Sequence, residues 1–323
     1  MSKHINWGII GPGKIARKFA ADLLLSENAV LYGVASRDPE RAKAFSREFQ
    51  ALEYFGSYEA LASDPEIDVV YIATPHQFHF EHAMMCLENG KAVLCEKPMG
   101  MDAEQVRKMI DTARKKSLFL MEGMWTRFIP GTEVFMELMQ KNVIGEVITL
   151  HADFGFKAPY DVNARTFNKK LGGGSLLDIG IYPLYLALLT LGMPNEIKAM
   201  ARMAGTGVDS YCSMLLSHDN SAKAVLESTF ETETPTEATI YGTTGMIKLH
   251  RRFHHTEKIT LQTDDGVKDI AVPYRGNGYF HEIEEVNDCL LEGRTESLKL
   301  PLSVSLDLAL VFDKVKSEIG LRY

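Results

Sequence analysis

The chain has 323 residues, of which 46% are hydrophobic and 24% are charged, and its formal net charge at pH 7 is -8. This composition is typical of a folded globular protein long enough for two domains, and it excludes disordered and fibrous classes. The acidic balance also argues against a protein that coats nucleic acid, because such a protein needs a basic surface to displace phosphate counterions.

The sequence shows no sign of a membrane segment, a metal site or a disulfide framework. Its four cysteines are scattered without a Cys-x-x-Cys pair, so we expect reduced thiols in the core. No apolar run is long enough to cross a bilayer, and no apolar signal segment precedes the first predicted strand. We therefore expect a cytoplasmic protein that binds neither a membrane nor nucleic acid, and we predict no metal ligands.

The first predicted strand, residues 5–10, leads directly into Gly11-Pro12-Gly13-Lys14-Ile15-Ala16, which opens an amphipathic helix. Gly11 permits a tight turn, and Gly13 lets backbone N–H groups approach a pyrophosphate at the helix N-terminus. Glycine pairs occur in many turns, but this placement after a strand and before a helix predicts a dinucleotide site. The residues predicted to contact the cofactor in this turn are Gly11, Gly13, Lys14 and Ile15.

The second predicted strand ends at Ala35 and is followed by Ser36 and Arg37, where a dinucleotide-binding unit usually presents an acid to the adenosine ribose. An arginine there, with Arg41 one helical turn further on, would neutralise the 2′-phosphate of NADP. Arg41 could equally be an exposed helix charge. Asp38 could be the acid that binds NAD, but Asp followed by Pro is a standard helix start, and we interpret Asp38 as the cap. The pattern therefore favours NADP, with NAD as the second choice.

Two further predicted strands, residues 68–73 and 91–95, are separated by a helix, which indicates a parallel sheet wound by right-handed crossovers. Thr74, Pro75 and His76 follow the first of them and are predicted to lie along the nicotinamide side of the cofactor site. His76 could line this site or cap the next helix, because an isolated histidine carries little information.

The 91–95 strand ends in Glu96-Lys97-Pro98, and catalytic groups in an open parallel sheet collect at the carboxyl edge of the strands. Pro98 restricts the backbone conformation at its own position and at Lys97, so the lysine is carried by a rigid part of the chain. We predict that Glu96 and Lys97 contact the cofactor and that Lys97 is catalytic. The alternative is that both are ordinary loop charges.

The regular alternation of strands and helices breaks after about residue 125, which predicts a Rossmann domain at 1–125 and a substrate and oligomerisation domain at 126–323. The predicted fold class is α/β followed by α+β. A doubly wound parallel sheet precedes a large open, mostly antiparallel sheet, and a C-terminal helix packs back on the first domain. Trp125 and Arg127 could wall a substrate pocket or form the seam between the domains.

Three consecutive glycines, Gly172–Gly174, precede Ser175-Leu176-Leu177-Asp178-Ile179-Gly180-Ile181-Tyr182-Pro183. Such glycines form a loop whose backbone approaches a neighbour closely, and the neighbour could be the cofactor or Lys97. Pro183 is tolerated only near the first turn of the helix that follows, which places Asp178 and Tyr182, four apart, on one face. The alternative is that Asp178 caps the helix and Tyr182 is a core aromatic residue.

Taken together, the 11–16 turn, Glu96-Lys97-Pro98 and the 172–183 segment closely resemble the motifs of the Gfo/Idh/MocA oxidoreductases, in the same order and across the whole chain. Most members of that family carry His where this chain has Tyr182. The Tyr, with Ser36-Arg37, His76 and the Trp125–Phe128 stretch, is more similar to the branch of dimeric dihydrodiol dehydrogenases and NADP-dependent D-xylose dehydrogenases.

The resemblance implies an NADP-dependent dehydrogenase that oxidises trans-dihydrodiols and some aldopyranoses. It implies that Lys97 is the catalytic lysine, that Asp178 and Tyr182 belong to the substrate site, and that the open sheet of the second domain is the face of a dimer or of a dimer of dimers. The residues predicted to line the substrate site are Trp125, Arg127, Phe154, Asp178 and Tyr182.

Oxidation of an alcohol requires removal of the hydroxyl proton and transfer of the carbon-bound hydrogen to the nicotinamide as hydride. A phenol is a poor base at neutral pH, but a nearby lysine cation favours the phenolate. We therefore expect Tyr182 to accept the proton, Lys97 to tune it, and Asp178 to orient the substrate; Tyr182 and Lys97 could exchange roles.

Two other classes of function are open. A regulatory protein would bind NADPH without turnover, but it would need only the phosphate cradle and no convergent ionisable residues. A glycoside hydrolase or epimerase would use a tightly bound nicotinamide transiently, and it would form product without a net change in nicotinamide absorbance.

Overall fold

The computed structural model describes residues 4–219 and 221–323. They form two compact units. The first unit is the chain up to Phe128 together with Arg275–Leu306, and the second is Ile129–Tyr274 together with Asp307–Tyr323. The division into domains at residues 125 and 126 stays a prediction.

The described residues form two sheets and the helices around them. The strands are β1 (Ile5–Ile10), β2 (Ala29–Ala35), β3 (Glu53–Phe55), β4 (Val69–Ile72), β5 (Ala92–Glu96), β6 (Leu120–Gly123), β7 (Val147–Gly155), β8 (Glu196–Met203), β9 (Asp209–Ser217), β10 (Lys223–Thr229), β11 (Ala238–Gly242), β12 (Gly245–Leu249), β13 (Lys258–Thr263) and β14 (Gly266–Ala271). The α-helices are α1 (Lys14–Leu23), α2 (Pro39–Phe49), α3 (Tyr58–Ser63), α4 (His79–Glu88), α5 (Ala103–Lys116), α6 (Pro130–Gln140), α7 (Ile181–Leu191), α8 (Phe280–Leu291) and α9 (Leu302–Glu318).

The first unit is built on a six-stranded sheet with the order β3-β2-β1-β4-β5-β6. Every neighbouring pair of strands is parallel. All residues of β4, β5 and β6 are buried, as expected for a parallel sheet that helices cover on both faces. From β1 the chain adds strands β2 and β3 on one side, and from β4 it adds β5 and β6 on the other. The switch point therefore lies between β1 and β4, and open α/β sheets bind their ligands at such a point.

The second unit is built on an eight-stranded sheet with the order β14-β13-β12-β11-β7-β10-β9-β8. Its pairs are antiparallel except β7 with β10, which is parallel. Side chains alternate between a buried and an exposed face, most clearly along β10. The buried face packs against the segment that contains α7.

These sheets confirm the predicted fold class of a doubly wound parallel sheet followed by an open, mostly antiparallel sheet. The sequence analysis missed β3 and α3, because a three-residue strand with two exposed side chains has no apolar run to mark it.

One helical run contradicts the prediction that no apolar run is long enough to cross a bilayer. Lys169–Leu191 has the length and composition to cross a bilayer, although no such run was predicted. The glycines separate a 3₁₀ turn at Lys169–Leu171 from the π turn that follows them, whereas Pro183 lies in the first turn of α7 and does not interrupt it. Within its most apolar window 78% of the residues are buried in the protein, as in a core helix.

Candidate active site

The turn between β1 and α1 has the geometry of a dinucleotide-binding turn. Gly11 has φ +89°, and a Cβ there would lie 2.9 Å from the Cγ2 atom of Thr74. A Cβ on Gly13, the N-cap of α1, would have its nearest neighbour 3.9 Å away. Gly11 is therefore required by the protein itself, whereas the space at Gly13 and the exposed first turn at Lys14 and Ile15 leave room for a pyrophosphate at the helix N-terminus.

The end of β2 confirms the interpretation of Asp38 as a helix cap. Its carboxylate accepts hydrogen bonds from the backbone N–H groups of Glu40 and Arg41, at 3.1 and 3.4 Å, with Pro39 in the first helical position. The hydroxyl of Ser36 accepts a hydrogen bond from the Asp38 N–H. The carboxylate is thus engaged by its own helix.

Arg37 lines a cavity of about 200 Å³ at this edge of the sheet. Arg41 does not line this cavity and is exposed on α2. The other residues that line the cavity are Ser57, Tyr58, Glu59, Thr74, Pro75, Phe78, Glu81 and His82. Arg37, Thr74 and Pro75, which were predicted separately from two strand ends, therefore come together at one cavity.

The loop after β4 is held by a histidine that the sequence analysis did not single out. The ring nitrogens of the buried His79 lie 2.8 Å from the carbonyl oxygens of Pro98 and Thr74. Burial lowers the pKa of His79 to about 4, and the charge of Lys97 acts in the same direction. His76, next to it in a 3₁₀ turn, is also buried, with its ring centroid 5.7 Å from that of His79.

Lys97 follows the last residue of β5, as predicted, and the Lys97–Pro98 peptide bond is cis. Glu96 is buried and accepts a hydrogen bond from the hydroxyl of Tyr71. Beyond the proline, the buried carboxylate of Glu122 accepts a hydrogen bond of 2.9 Å from the Met99 N–H. Buried groups therefore hold the backbone on both sides of Lys97, while the lysine itself is half-buried.

Trp125 and Arg127 have firm partners within the first unit. The indole of Trp125 stacks on the ring of Tyr279, with centroids 4.9 Å apart and planes 17° from parallel. The Arg127 Nε atom donates a hydrogen bond of 2.9 Å to the Lys299 carbonyl oxygen. A substrate-lining role for either residue stays a prediction.

In the second unit, the glycine loop approaches its own neighbours. A Cβ on Gly173 would lie 2.7 Å from the carbonyl oxygen of Arg165, and one on Gly174 would lie 2.4 Å from the Oδ1 atom of Asp209. Gly174 also has φ +116°, which side chains rarely allow. The expected close approach is present, and the neighbours in this unit are a carbonyl and a carboxylate.

Asp178 lies in a π-helical turn, Leu176–Gly180, that runs directly into α7. Its two carboxylate oxygens accept hydrogen bonds of 2.9 and 2.8 Å from the Nη1 and Nη2 atoms of Arg165. The sequence analysis did not predict Arg165, because a loop arginine 13 residues away carries no signal of which acid it will meet. The bidentate pair fixes the plane of the Asp178 carboxylate.

Tyr182, in the first turn of α7, is held in an aromatic cluster. Its ring centroid lies 5.7 Å from that of Phe154 and 4.6 Å from that of His254, and the Phe154 and His254 rings stack 4.6 Å apart. The prediction placed Phe154 and Tyr182 in one site, and the structure brings their rings together. His254 was missed, and only the unusual His254-His255 pair in the sequence hinted at it.

Two family models match the chain in succession. The model described as the oxidoreductase family, NAD-binding Rossmann fold, covers residues 5–124, and the Gfo/Idh/MocA C-terminal domain covers residues 134–248. The chain therefore belongs to the Gfo/Idh/MocA family, and it is an NAD(P)-dependent oxidoreductase.

Among its relatives are proteins named trans-1,2-dihydrobenzene-1,2-diol dehydrogenase, which confirms the predicted branch. The one from Xenopus tropicalis is 36% identical over 330 residues and covers 98% of each chain. The human one is 34% identical over 332 residues and covers 99% of this chain and 98% of its own.

Solved structures agree on the fold. The 3-ketoreductase KijD10 from Actinomadura kijaniata, in complex with NADP and TDP-benzene, superimposes with a TM-score of 0.89 at 27% identity over 98% of each chain. The aldose-aldose oxidoreductase from Caulobacter crescentus has a TM-score of 0.90 over 98% of each chain, but at 23% identity it supports the fold alone.

Proposed function

We propose that this protein transfers a hydride between NADP and a secondary alcohol of a trans-dihydrodiol or an aldopyranose. The observation that carries the proposal is the likeness to diol dehydrogenases over the whole chain, at 34–36% identity. The geometry of each unit supports it, since Lys97, Asp178 and Tyr182 all stand on backbone that buried neighbours hold. Reacting groups need such support, because a small misplacement costs much of the rate.

Within the first unit, Gly11, Gly13, Lys14 and Ile15 would hold the pyrophosphate, and Ser36 and Arg37 would hold the adenosine ribose. Thr74 and Pro75, predicted for the nicotinamide side, line one cavity with Arg37 and would instead lie beside the adenosine half. His76 and Glu96 would lie along the nicotinamide half. When bound, the nicotinamide supplies the hydride acceptor or donor.

Lys97 and Tyr182 would act on the same alcohol oxygen. Tyr182 would accept the hydroxyl proton, and the charge of Lys97 would favour the phenolate and hydrogen-bond the substrate oxygen. Asp178 would orient the diol or sugar, because Arg165 fixes the plane of its carboxylate. Trp125, Arg127 and Phe154 would complete the substrate site. The reverse assignment, with Lys97 as the base, uses the same residues.

The direct test of the activity is a substrate panel. The purified protein is incubated with trans-1,2-dihydrobenzene-1,2-diol, aldoses and inositols, each with NADP and with NAD, and the absorbance of the reduced nicotinamide is followed. We expect reduction of NADP with the diol or with an aldopyranose. Binding without product would indicate a regulatory protein, and product without an absorbance change would indicate transient use of the cofactor.

The preference for NADP depends on Arg37. Charge-assisted hydrogen bonds to a phosphate contribute about 1.5–3 kcal/mol each, so Arg37→Asp is expected to weaken NADP binding by about 10–100-fold. NAD has no 2′-phosphate, and its affinity should change by less than about threefold. Titration of each nucleotide by quenching of tryptophan fluorescence measures both affinities.

Arg41→Asp is the matched control, because Arg41 does not line the cavity, and we expect a smaller loss of NADP affinity. Glu59 and Glu81 line the same cavity as Arg37 and would repel an anion there, so the 2′-phosphate of NADP needs the charge of Arg37. Equal affinities of the unmodified protein for NAD and NADP would contradict this role of Arg37.

We also propose a homodimer that pairs through the open face of the eight-stranded sheet. Apolar side chains on successive strands are exposed there: Met200 at 80%, Leu215 at 47% and Val225 at 46%. Leu215 and Val225 are directly opposite each other on β9 and β10. Apolar surface that is contiguous over several strands favours association over exposure to water.

Leu215→Asp is expected to convert the dimer to a monomer, because it places a charge in the middle of the buried patch. Light scattering after size exclusion should give twice the chain mass of 36.1 kDa for the unmodified protein and the chain mass for the variant. Leu298→Asp changes an equally apolar side chain, 79% exposed in the first unit, and should leave the mass unchanged. A monomeric unmodified protein would refute the dimer.

The proposed location is the cytoplasm. The four cysteines are free and buried, which supports a protein of a reducing compartment.

A further inference from the structure

Tyr323, the last residue of the sequence, reaches the glycine loop that precedes Asp178 and Tyr182. Its hydroxyl donates a hydrogen bond to the carbonyl oxygen of Gly173. The same hydroxyl lies 3.0 Å from the place that a Cβ on Gly174 would occupy. The phenol is therefore packed directly against the backbone of the loop.

Asp209, the first residue of β9, holds the next two residues of the same segment. It is fully buried, and its Oδ2 atom accepts hydrogen bonds of 2.6 Å from the Ser175 hydroxyl and 2.7 Å from the Leu176 N–H. Its Oδ1 atom stands against Gly174. Two side chains from distant parts of the sequence thus form hydrogen bonds with Gly173, Ser175 and Leu176.

This segment needs support from outside, because glycines impose little conformation of their own. The π-helical turn that follows is also rare, and such turns occur mostly at functional sites. That turn carries Asp178, and the helix that continues it carries Tyr182. A shift at Gly173 would therefore be transmitted to both residues.

The hydroxyl of Tyr323 stays protonated and can therefore keep its hydrogen bond to Gly173 over a wide pH range. Burial, and after it the carboxylates of Asp209 and Asp178, raise the pKa of Tyr323 above its usual range. The phenol therefore keeps its proton and remains a donor to Gly173 at any pH at which the protein would work.

We propose that Tyr323 is a positioning residue for the substrate site. Its hydroxyl fixes Gly173 and, together with Asp209, fixes the start of the segment that presents Asp178 and Tyr182 to the substrate. This inference rests on the proposed function, in which those two residues touch the substrate.

Tyr323→Phe tests the inference, since it removes only the hydroxyl. A net hydrogen bond contributes about 0.5–1.5 kcal/mol, so the equilibrium ratio of the ordered to the open segment should fall about 2–12-fold. Substrate binding must then restore the ordered segment, and the KM for trans-1,2-dihydrobenzene-1,2-diol should rise, by at most this factor. The kcat should stay within about twofold, and so should the KM for NADP. Tyr241→Phe, on an exposed part of β11, is the control and should change neither constant.

Amide hydrogen exchange of the free protein provides a readout that does not depend on activity. Peptides that cover residues 172–182 should exchange about 2–12-fold faster in Tyr323→Phe and at the original rate in Tyr241→Phe. Unchanged exchange in Tyr323→Phe would overturn the inference, as would a lower kcat with an unchanged KM, which indicates only a smaller folded fraction. Faster exchange in a protein that oxidises neither the diol nor an aldopyranose would support the anchoring by Tyr323 and refute the proposed function.

Discussion

Lys97→Met is expected to lower kcat/KM for trans-1,2-dihydrobenzene-1,2-diol by about 10²–10⁴, the range in which a positioned acid, base or charge contributes to proton transfer. Methionine keeps the length of the side chain and removes only the ammonium group. The affinity for NADP should change by less than about tenfold, because the phosphates are held elsewhere in the first unit. Steady-state kinetics and a nucleotide titration measure the two effects separately.

Lys108→Met is the matched control, because this lysine pairs with Glu104 on the exposed side of α5. It should retain full activity. If Lys97→Met kept more than about a tenth of the activity, Lys97 would be an ordinary loop charge, as the simplest interpretation of its position allows.

Glu282→Gln is expected to make the first unit more stable at neutral pH. Glu282, in the first turn of α8, is fully buried, and neither of its carboxylate oxygens has a hydrogen-bond partner among the residues that the structure describes. Burial, and then the charges of Glu96 and Asp22, raise its pKa well above the usual value. The side chain is therefore a neutral acid at low pH and is forced toward an uncompensated charge as the pH rises.

The sign of the effect follows from proton linkage. Between the ordinary pKa of glutamate and the raised pKa of Glu282, the folded state binds more protons than the unfolded state. The free energy of unfolding must then fall with rising pH, by up to about 1.4 kcal/mol per pH unit for one proton. The stabilisation is fully present below the unfolded pKa and is lost as the pH rises through the folded pKa. Glutamine cannot ionise, so the variant should lack this slope.

Urea unfolding at pH 5, 6, 7 and 8 measures the slope. Both tryptophans, Trp7 and Trp125, lie in the first unit, so their fluorescence reports its unfolding alone. Glu292→Gln, an exposed carboxylate at the end of α8, is the control and should keep the slope of the unmodified protein. Parallel curves for Glu282→Gln and the unmodified protein would show that folding does not raise the pKa of Glu282.

Local signals in the sequence were enough for much of the first unit. The turn from Gly11 to Gly13 and the cap at Asp38 depend on residues within a few positions of each other, so their geometry follows from backbone preferences. The parallel sheet with right-handed crossovers follows from the alternation of strands with helices, whereas the order of its strands was not predicted. The short strand β3 was missed because pairing with β2, rather than its own composition, creates it.

The site residues that were missed have partners far away in the sequence. Arg165 meets Asp178 across a loop, and His254 meets Tyr182 from a turn after β12. The Tyr323 hydroxyl meets a carbonyl 150 residues away. Each contact depends on how the eight-stranded sheet places its loops, and periodicity along the chain does not encode that placement. Such residues become predictable only after the sheet order is known.

A double-mutant cycle of Lys97→Met and Tyr182→Phe tests the central claim most directly, because it measures whether the two side chains act on one alcohol. The quantity to compare is kcat/KM for trans-1,2-dihydrobenzene-1,2-diol in the unmodified protein, the two single variants and the double variant. If the residues act as a unit, the double variant should be within about threefold of the worse single variant. Losses that multiply would show that Lys97 and Tyr182 act independently and would contradict the account.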